Sequence, residues 1–226
     1  MTAVFRDARI AFDLDGTLVD TAPDLVRSLN AAIAPDALEP VPIEDVRAMV
    51  GRGARALIRR AYERAGREID DPTLEARLDL FLDVYRADIA GQSRPFAGVE
   101  AALERLRSAG ARLSVCTNKP AALTEPLLAT LGLAGHFERI VSPEHVPAKK
   151  PDPRHLAAAF GETGSGRVMV GDSEPDVLAA RAAGAPIVVF EGGYSEKPAG
   201  DLGADRLFAH FDALDEALAH ALSRTS

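Results

Sequence analysis

From Arg94 onward the chain alternates short apolar runs with stretches of helical periodicity, and this alternation narrows the fold more than any other feature. Strand-like runs stand at Arg112–Cys116, Arg139–Val141, Val168–Val170, Ile187–Phe190 and Arg206–Phe208. Between them, apolar residues recur at three- and four-residue spacing, as in Val99, Ala102, Leu103 and Leu106, which is the mark of a helix face. Gly110, Gly132 and Gly184 close three of these helical segments in the manner of C-caps. Short, wholly apolar strands are covered on both faces, and strand–helix alternation implies a parallel sheet between two helical layers.

One more apolar run, Ile10–Phe12, lies far upstream, separated from the rest by a helical block, and nothing between Thr21 and Ile89 reads as a strand. Thr21-Ala22-Pro23-Asp24 reads as a capping box with an early-turn proline, followed by Leu25, Leu29, Ala32 and Ile33 at helical spacing. Later helical segments carry Leu57, Ile58, Ala61 and Tyr62, then Leu74, Phe81 and Tyr85. The expected fold is therefore α/β: a doubly wound, Rossmann-like parallel-sheet core, residues 1–18 and 94–226, with a helical cap inserted at 19–93. A chain of 226 residues is long enough for both.

A net charge of -8 argues against a nucleic-acid partner, which needs a clustered basic face. Arg52, Arg55, Arg59 and Arg60 do cluster, at a spacing that suits the solvated face of a helix. No apolar run approaches membrane-spanning length. Cys116 is the single cysteine, so no internal disulfide forms, and a reducing, cytoplasmic location is expected for a monomer or homodimer.

Ligands of open α/β sheets bind beyond the carboxyl ends of the strands. Asp13 and Asp15 follow the first strand at an interval of two, which places both on one side of its terminus. Like charges so placed are costly unless a cation or a reaction uses them, and an aspartate can attack phosphorus. Taken alone, the pair reads equally well as an acidic Asp-Gly turn. The other strand ends deliver Thr117-Asn118-Lys119, then Gly171-Asp172-Ser173 with Asp176, while Lys149-Lys150-Pro151 precedes a helix. Four converging carboxylates repel one another by roughly 4 kcal/mol per pair at about 4 Å and an effective dielectric near ~20. A hard divalent cation relieves that repulsion, and oxygen-only ligands favour magnesium. Thr117, Asn118 and Lys150 are the residue types that hold a transferring phosphoryl group.

Plainer roles exist for each. Asp172 or Ser173 could cap the helix after it, Thr117 and Asn118 could do the same, and Gly51 and Gly53 could be turn glycines. The five histidines show no ligand spacing. The glycine-rich stretch 161–166 follows a helix and precedes a strand, the reverse of a phosphate-binding loop, and so reads as a linker.

Taken in order, Asp13-Leu14-Asp15-Gly16-Thr17-Leu18, Thr117-Asn118, Lys150-Pro151 and Gly171-Asp172-Ser173 with Asp176 closely resemble the haloacid dehalogenase superfamily of phosphatases, over essentially the whole chain. The resemblance implies that Asp13 is a nucleophile forming an aspartyl-phosphate and that Asp15 is the general acid and base. It implies that Thr117 binds and Lys150 neutralises the phosphoryl group. Asp13, the Asp15 carbonyl and Asp172 would hold Mg2+, with Asp176 behind them. Val19-Asp20-Thr21-Ala22-Pro23-Asp24-Leu25, the loop Val50-Gly51-Arg52-Gly53, Asn118-Lys119-Pro120 and Gly192-Gly193-Tyr194 resemble the phosphoglycolate phosphatases within that superfamily. The substrate would be a small phosphorylated metabolite, 2-phosphoglycolate, whose carboxylate would meet Arg52 or the backbone at Gly51 and Gly53. A phosphosugar mutase, another sugar-phosphate phosphatase or pyrophosphatase, and a phospho-aspartate signalling domain are the alternatives.

Overall fold

The structure is a computed structural model that describes residues 2–47, 49–51, 53–161 and 166–223. In chain order its elements are α1 (Thr2–Phe5), β1 (Arg9–Phe12), β2 (Val19–Asp20), α2 (Ala22–Ile33), α3 (Ile43–Arg47), α4 (Ala54–Arg64), α5 (Asp71–Ala87) and β3 (Arg94–Pro95). There follow α6 (Val99–Ser108), β4 (Arg112–Cys116), α7 (Ala121–Thr130), β5 (Arg139–Val141), α8 (Pro153–Phe160) and β6 (Arg167–Gly171). The chain closes with α9 (Glu174–Ala182), β7 (Ile187–Phe190), β8 (Arg206–Phe208) and α10 (Leu214–Ser223).

Six of the strands form one parallel sheet in the order β5-β4-β1-β6-β7-β8. β1 is central, pairing from Arg9↔Arg112 to Phe12↔Val115 on one side and from Arg9↔Arg167 to Phe12↔Val170 on the other. Strand periodicity divides the core into two layers. Ile10 and Phe12 join Leu103 of α6, Leu127 of α7 and Leu218 of α10 on one face. Ala11, Cys116 and Met169 join Leu156 of α8 and Val177 of α9 on the other. This is the doubly wound, parallel-sheet core expected from the alternation. The strand order reverses around β1, which brings the carboxyl ends of β4, β1 and β6 together at the centre of the sheet.

The helices α2, α4 and α5 pack on one another around Leu29, Ile58, Tyr62, Phe81 and Tyr85, a core of their own that also takes in Leu123 of α7. Asp36, at the end of the 3-10 turn that follows α2, clamps this block by receiving Arg77 of α5 (2.9 Å to Oδ1) and the Tyr62 hydroxyl of α4. Among the described residues, no helix is long and apolar enough to cross a membrane.

Where the chain leaves and re-enters the sheet domain, β2 and β3 pair antiparallel, Val19 with Pro95 and Asp20 with Arg94, a ribbon that the sequence pattern does not announce. One local expectation is corrected. The capping box at the start of α2 does not form, since Thr21 makes no side-chain cap bond and its hydroxyl is buried without a partner. Asp24 is drawn away from that role by the returning chain. It accepts hydrogen bonds from the Gln92 and Ser93 backbone N–H groups and from the Ser93 hydroxyl, at 2.6 to 3.2 Å.

Candidate active site

The sheet ladders run one residue past the strands and into the site. The Asp13 N–H donates to the Val170 carbonyl (2.8 Å), and the Thr117 N–H donates to Val141 (3.1 Å). Beyond Asp13 the backbone doubles back, with the Gly16 N–H donating to Val19 (2.9 Å). Gly16 has a φ of +87°, and a Cβ there would stand 2.6 Å from both Asp172 Oδ2 and the Tyr194 ring, so glycine is required for conformation and space alike.

This turn changes the expected disposition of the two acids. β1 ends at Phe12, so Asp13 and Asp15 are not successive same-side residues of a strand. Asp13 turns to Lys150, whose Nζ lies 2.7 Å from Asp13 Oδ1 and 2.7 Å from Asp176 Oδ1. Asp15 turns instead to Lys119, 3.1 Å from Asp15 Oδ1. Three carboxylates converge rather than four: Asp13, Asp172 and Asp176, with ligand atoms within 4.8 Å of one another and all three buried.

Each member is held by named donors. Asp172 accepts from the Thr17 hydroxyl (2.7 Å, Oδ1) and the Tyr194 N–H (2.7 Å, Oδ2). Asp176 Oδ2 accepts from the Asp172 and Ser173 N–H groups (3.2 and 3.1 Å) and the Ser173 hydroxyl (2.7 Å). Behind Lys150, the buried His155 accepts the Lys150 N–H at Nδ1 (3.0 Å). Its Nε2 therefore carries the proton and faces the Val141 carbonyl at 3.1 Å. Burial, reinforced by Lys150, holds His155 down at about 4, so the ring is neutral at pH 7.

The electrostatics describe a cluster short of positive charge. Burial pushes the Asp13 carboxyl above its ordinary value; Lys150 opposes the shift and Asp176 adds to it. Burial pushes Asp172 up as well, with Asp13 and Asp176 reinforcing it. Burial disfavours the Lys150 ammonium, but Asp13 and Asp176 outweigh that and hold it charged. Three buried acids with oxygen-only donors fit a hard divalent cation. Asp176 is the most fully engaged of the three, with Lys150 at Oδ1 and three donors at Oδ2, whereas Asp172 carries one donor on each oxygen and keeps a lone pair on each, so Asp13 and Asp172 are the better placed to ligate.

Beside the cluster lies a cavity of about 380 Å³ between sheet and helices. Asp15, Asn118 and Lys119 line its sheet side, and Leu57, Phe81 and Tyr85 its helical side. Thr117 is buried at its strand end, and its Oγ1 accepts the Lys119 N–H (3.1 Å). Asn118 Nδ2 donates to the Lys150 carbonyl (3.1 Å) and reaches the Gly51 carbonyl (3.5 Å), while its Oδ1 is buried without a partner. Gly51 and Gly53 sit on the cavity wall, and the Gly53 carbonyl accepts the Leu57 N–H (3.2 Å) in the first turn of α4. Arg52 lies outside the described residues, as do residues 162–165 of the expected linker. Lys149 is exposed, and Cys116 is a buried thiol pushed up to about 12 by burial.

Sequence reasoning gave no separate role in the site to Thr17, His155 or Tyr194, and it placed Lys119 at the crevice as a possible cation without assigning it one. Lys119 carried a usable signal, since it follows Thr117-Asn118 at a strand end in a chain with only four lysines. His155 falls on the same helical face as Leu156 and Ala159, which marks it as a core position rather than a ligand. Thr17 and Tyr194 act on Asp172 across 155 and 22 residues of chain, and no local pattern announces that.

The model of the haloacid dehalogenase-like hydrolases matches residues 9–184. A phosphoglycolate phosphatase of Caulobacter vibrioides is 50% identical over 90% of this chain and 87% of its own length. One from Mesorhizobium japonicum is 41% identical over 96% of this chain and 97% of its own. Among solved structures, a predicted phosphoglycolate phosphatase from Haemophilus somnus superimposes with a TM-score of 0.86 at 30% identity, covering 94% of this chain and 97% of that one. Likeness of this extent takes in the turn after β1, the strand ends and the buried acids together, and on it the chain belongs to the haloacid dehalogenase-like hydrolase family.

Proposed function

We propose that the protein is a magnesium-dependent phosphomonoester hydrolase that converts 2-phosphoglycolate to glycolate and phosphate through an aspartyl-phosphate on Asp13. The observation that carries this reading is the separation of the two leading acids. Asp13 lies in the buried cluster against Lys150, whereas Asp15 lines the cavity where a leaving group would lie. The names of the relatives supply the substrate.

In this reading an Asp13 carboxylate oxygen attacks phosphorus as the bond to the ester oxygen breaks. Asp15 gives its proton to the departing alkoxide. Asp15 then takes a proton from water, which attacks the same phosphorus, breaks the bond to Asp13 and frees phosphate. Lys150, Thr117 and Asn118 hold the phosphoryl oxygens, and Asp176 keeps Lys150 in place. Asp13, Asp172 and the Asp15 carbonyl would hold Mg2+, which supplies positive charge to the developing phosphoryl charge. The helical block at 19–93 serves as a cap over a core of 1–18 and 94–226. Gly51 and Gly53 of its loop border the space for the leaving group.

Phosphate release across a panel of phosphomonoesters, with and without magnesium, tests the reading. Turnover should favour 2-phosphoglycolate, vanish in excess chelator and return with magnesium. Asp13→Asn should abolish turnover with its circular dichroism unchanged. Residual activity within a few-fold of wild type in that folded variant would remove Asp13 as the nucleophile.

A further inference from the structure

Lys119 is a buried ammonium on the wall of the cavity, 4.6 Å from the centre of the Tyr85 ring. Of the cationic residues described on that wall, Arg55 is exposed and paired with Glu75, and Lys149 is exposed. Lys119 alone among them is shielded from solvent, where a charge acts with least screening. It comes from the loop after β4, whereas Tyr85 comes from α5 on the opposite side. The Tyr85 hydroxyl is fully buried and interacts with the Lys119 ammonium, but it makes no hydrogen bond of regular geometry. Buried hydroxyls rarely go unsatisfied, and one on a cavity wall calls for a ligand group.

We propose that Lys119 Nζ and Tyr85 Oη form the subsite that holds the carboxylate of the leaving group. The inference rests on the phosphatase reading and deepens it by assigning the chemistry that selects the substrate. In a 2-phosphoglycolate the carboxyl carbon lies two bonds from the ester oxygen. The group that grips the carboxylate must therefore be an immediate neighbour of the group that protonates that oxygen. Lys119 Nζ stands 3.1 Å from Asp15 Oδ1, which meets this requirement. An ammonium carries three N–H donors, so its contact with Asp15 leaves capacity for a second carboxylate. Leu57 and Phe81 line the same space with apolar surface.

The test compares 2-phosphoglycolate with 2-hydroxyethyl phosphate, an ester of equal length that bears a neutral hydroxymethyl group in place of the carboxylate. The readout is the ratio of kcat/KM between the two esters. Because it is a ratio, any general damage to Asp15 cancels. Wild type should favour the carboxylate ester. Lys119→Met should lower the ratio about 10- to 100-fold and Tyr85→Phe about 3- to 10-fold, with Lys119→Arg recovering part of the preference. Should Lys119→Met fail to fold, Tyr85→Phe carries the test, since it removes one oxygen and no charge. Equal losses on both esters would show that Lys119 only supports Asp15 and would overturn the subsite. A wild type that hydrolyses both esters without preference also overturns it and leaves the phosphatase reading standing. A wild type that releases phosphate from neither ester removes the phosphatase reading itself.

Discussion

The two walls of the cavity are built by opposite rules. On the sheet side the buried charged groups are cross-linked: Lys150 to Asp13 and Asp176, Asp172 to Thr17 and Tyr194, Asp15 to Lys119. On the helical side the wall is mostly apolar, with Leu57, Phe81 and Tyr85 presenting shape and a single hydroxyl that lacks a regular hydrogen bond. The difference assigns labour. Cross-linked charges cannot shift without leaving a partner bare, which suits chemistry that tolerates little displacement. An apolar wall can be re-cut one side chain at a time, which suits discrimination between leaving groups.

The strongest attempt to break this contrast is Lys150→Ala. It strips two buried carboxylates of their shared cation, and breaking such a pair costs about 3–5 kcal/mol of stability, with activity falling below detection. Lys149→Ala, one residue away and exposed, should stay within a few-fold of wild type in both measures. The reverse ranking, read from thermal midpoints and phosphate release, would show that the cross-links do not matter.

Asp15→Asn comes next. Loss of proton transfer should lower turnover by roughly 10²–10⁴-fold on alkyl phosphates and by much less on p-nitrophenyl phosphate, whose leaving group needs little protonation. Equal losses on both would exclude Asp15 as the proton donor.

The smallest effect belongs to the helical side. Hydrogen bonds from Arg77 and Tyr62 hold Asp36 down at about 2, against an ordinary value of 3.8. A depressed carboxyl stabilises the fold above its unfolded value and loses that contribution as pH falls through its folded one. The stability gap between wild type and Asp36→Asn should therefore be full above pH 3.8 and shrink as pH falls towards about 2. A gap that stays constant over that window would mean the clamp does not depend on the carboxylate's charge.

The same contrast explains what could be read from the chain beforehand. The strands β4, β5, β7 and β8 were legible residue for residue, because buried parallel strands are short apolar runs bounded by turns. The strand ends marked Asp13, Thr117 and Asp172 as neighbours, since a parallel sheet gathers its carboxyl ends by construction. What escaped was whatever long-range contact decides. Val19 and Asp20 are a strand only because Pro95 and Arg94 lie beside them. Asp24 abandons its cap for Ser93, 69 residues away. Past Phe12 the period of two no longer applies, so the parting of Asp13 towards Lys150 and Asp15 towards Lys119 had no signature in the spacing. Tyr85 read as one more apolar helix position, and only its hydroxyl, buried without a regular hydrogen bond, sets it apart.

The short ribbon of β2 and β3 has a consequence in polymer terms. Because Val19 faces Pro95 and Asp20 faces Arg94, the helical insertion leaves and re-enters the sheet domain at one point. To the sheet it is a closed loop whose ends are already joined. The entropy of closing such a loop rises by only about 0.6 kcal/mol for each doubling of its length. The register of β1 between β4 and β6 is therefore nearly indifferent to how much chain hangs from the ribbon. Helices can be added, trimmed or exchanged there while the buried acids stay where the strands put them.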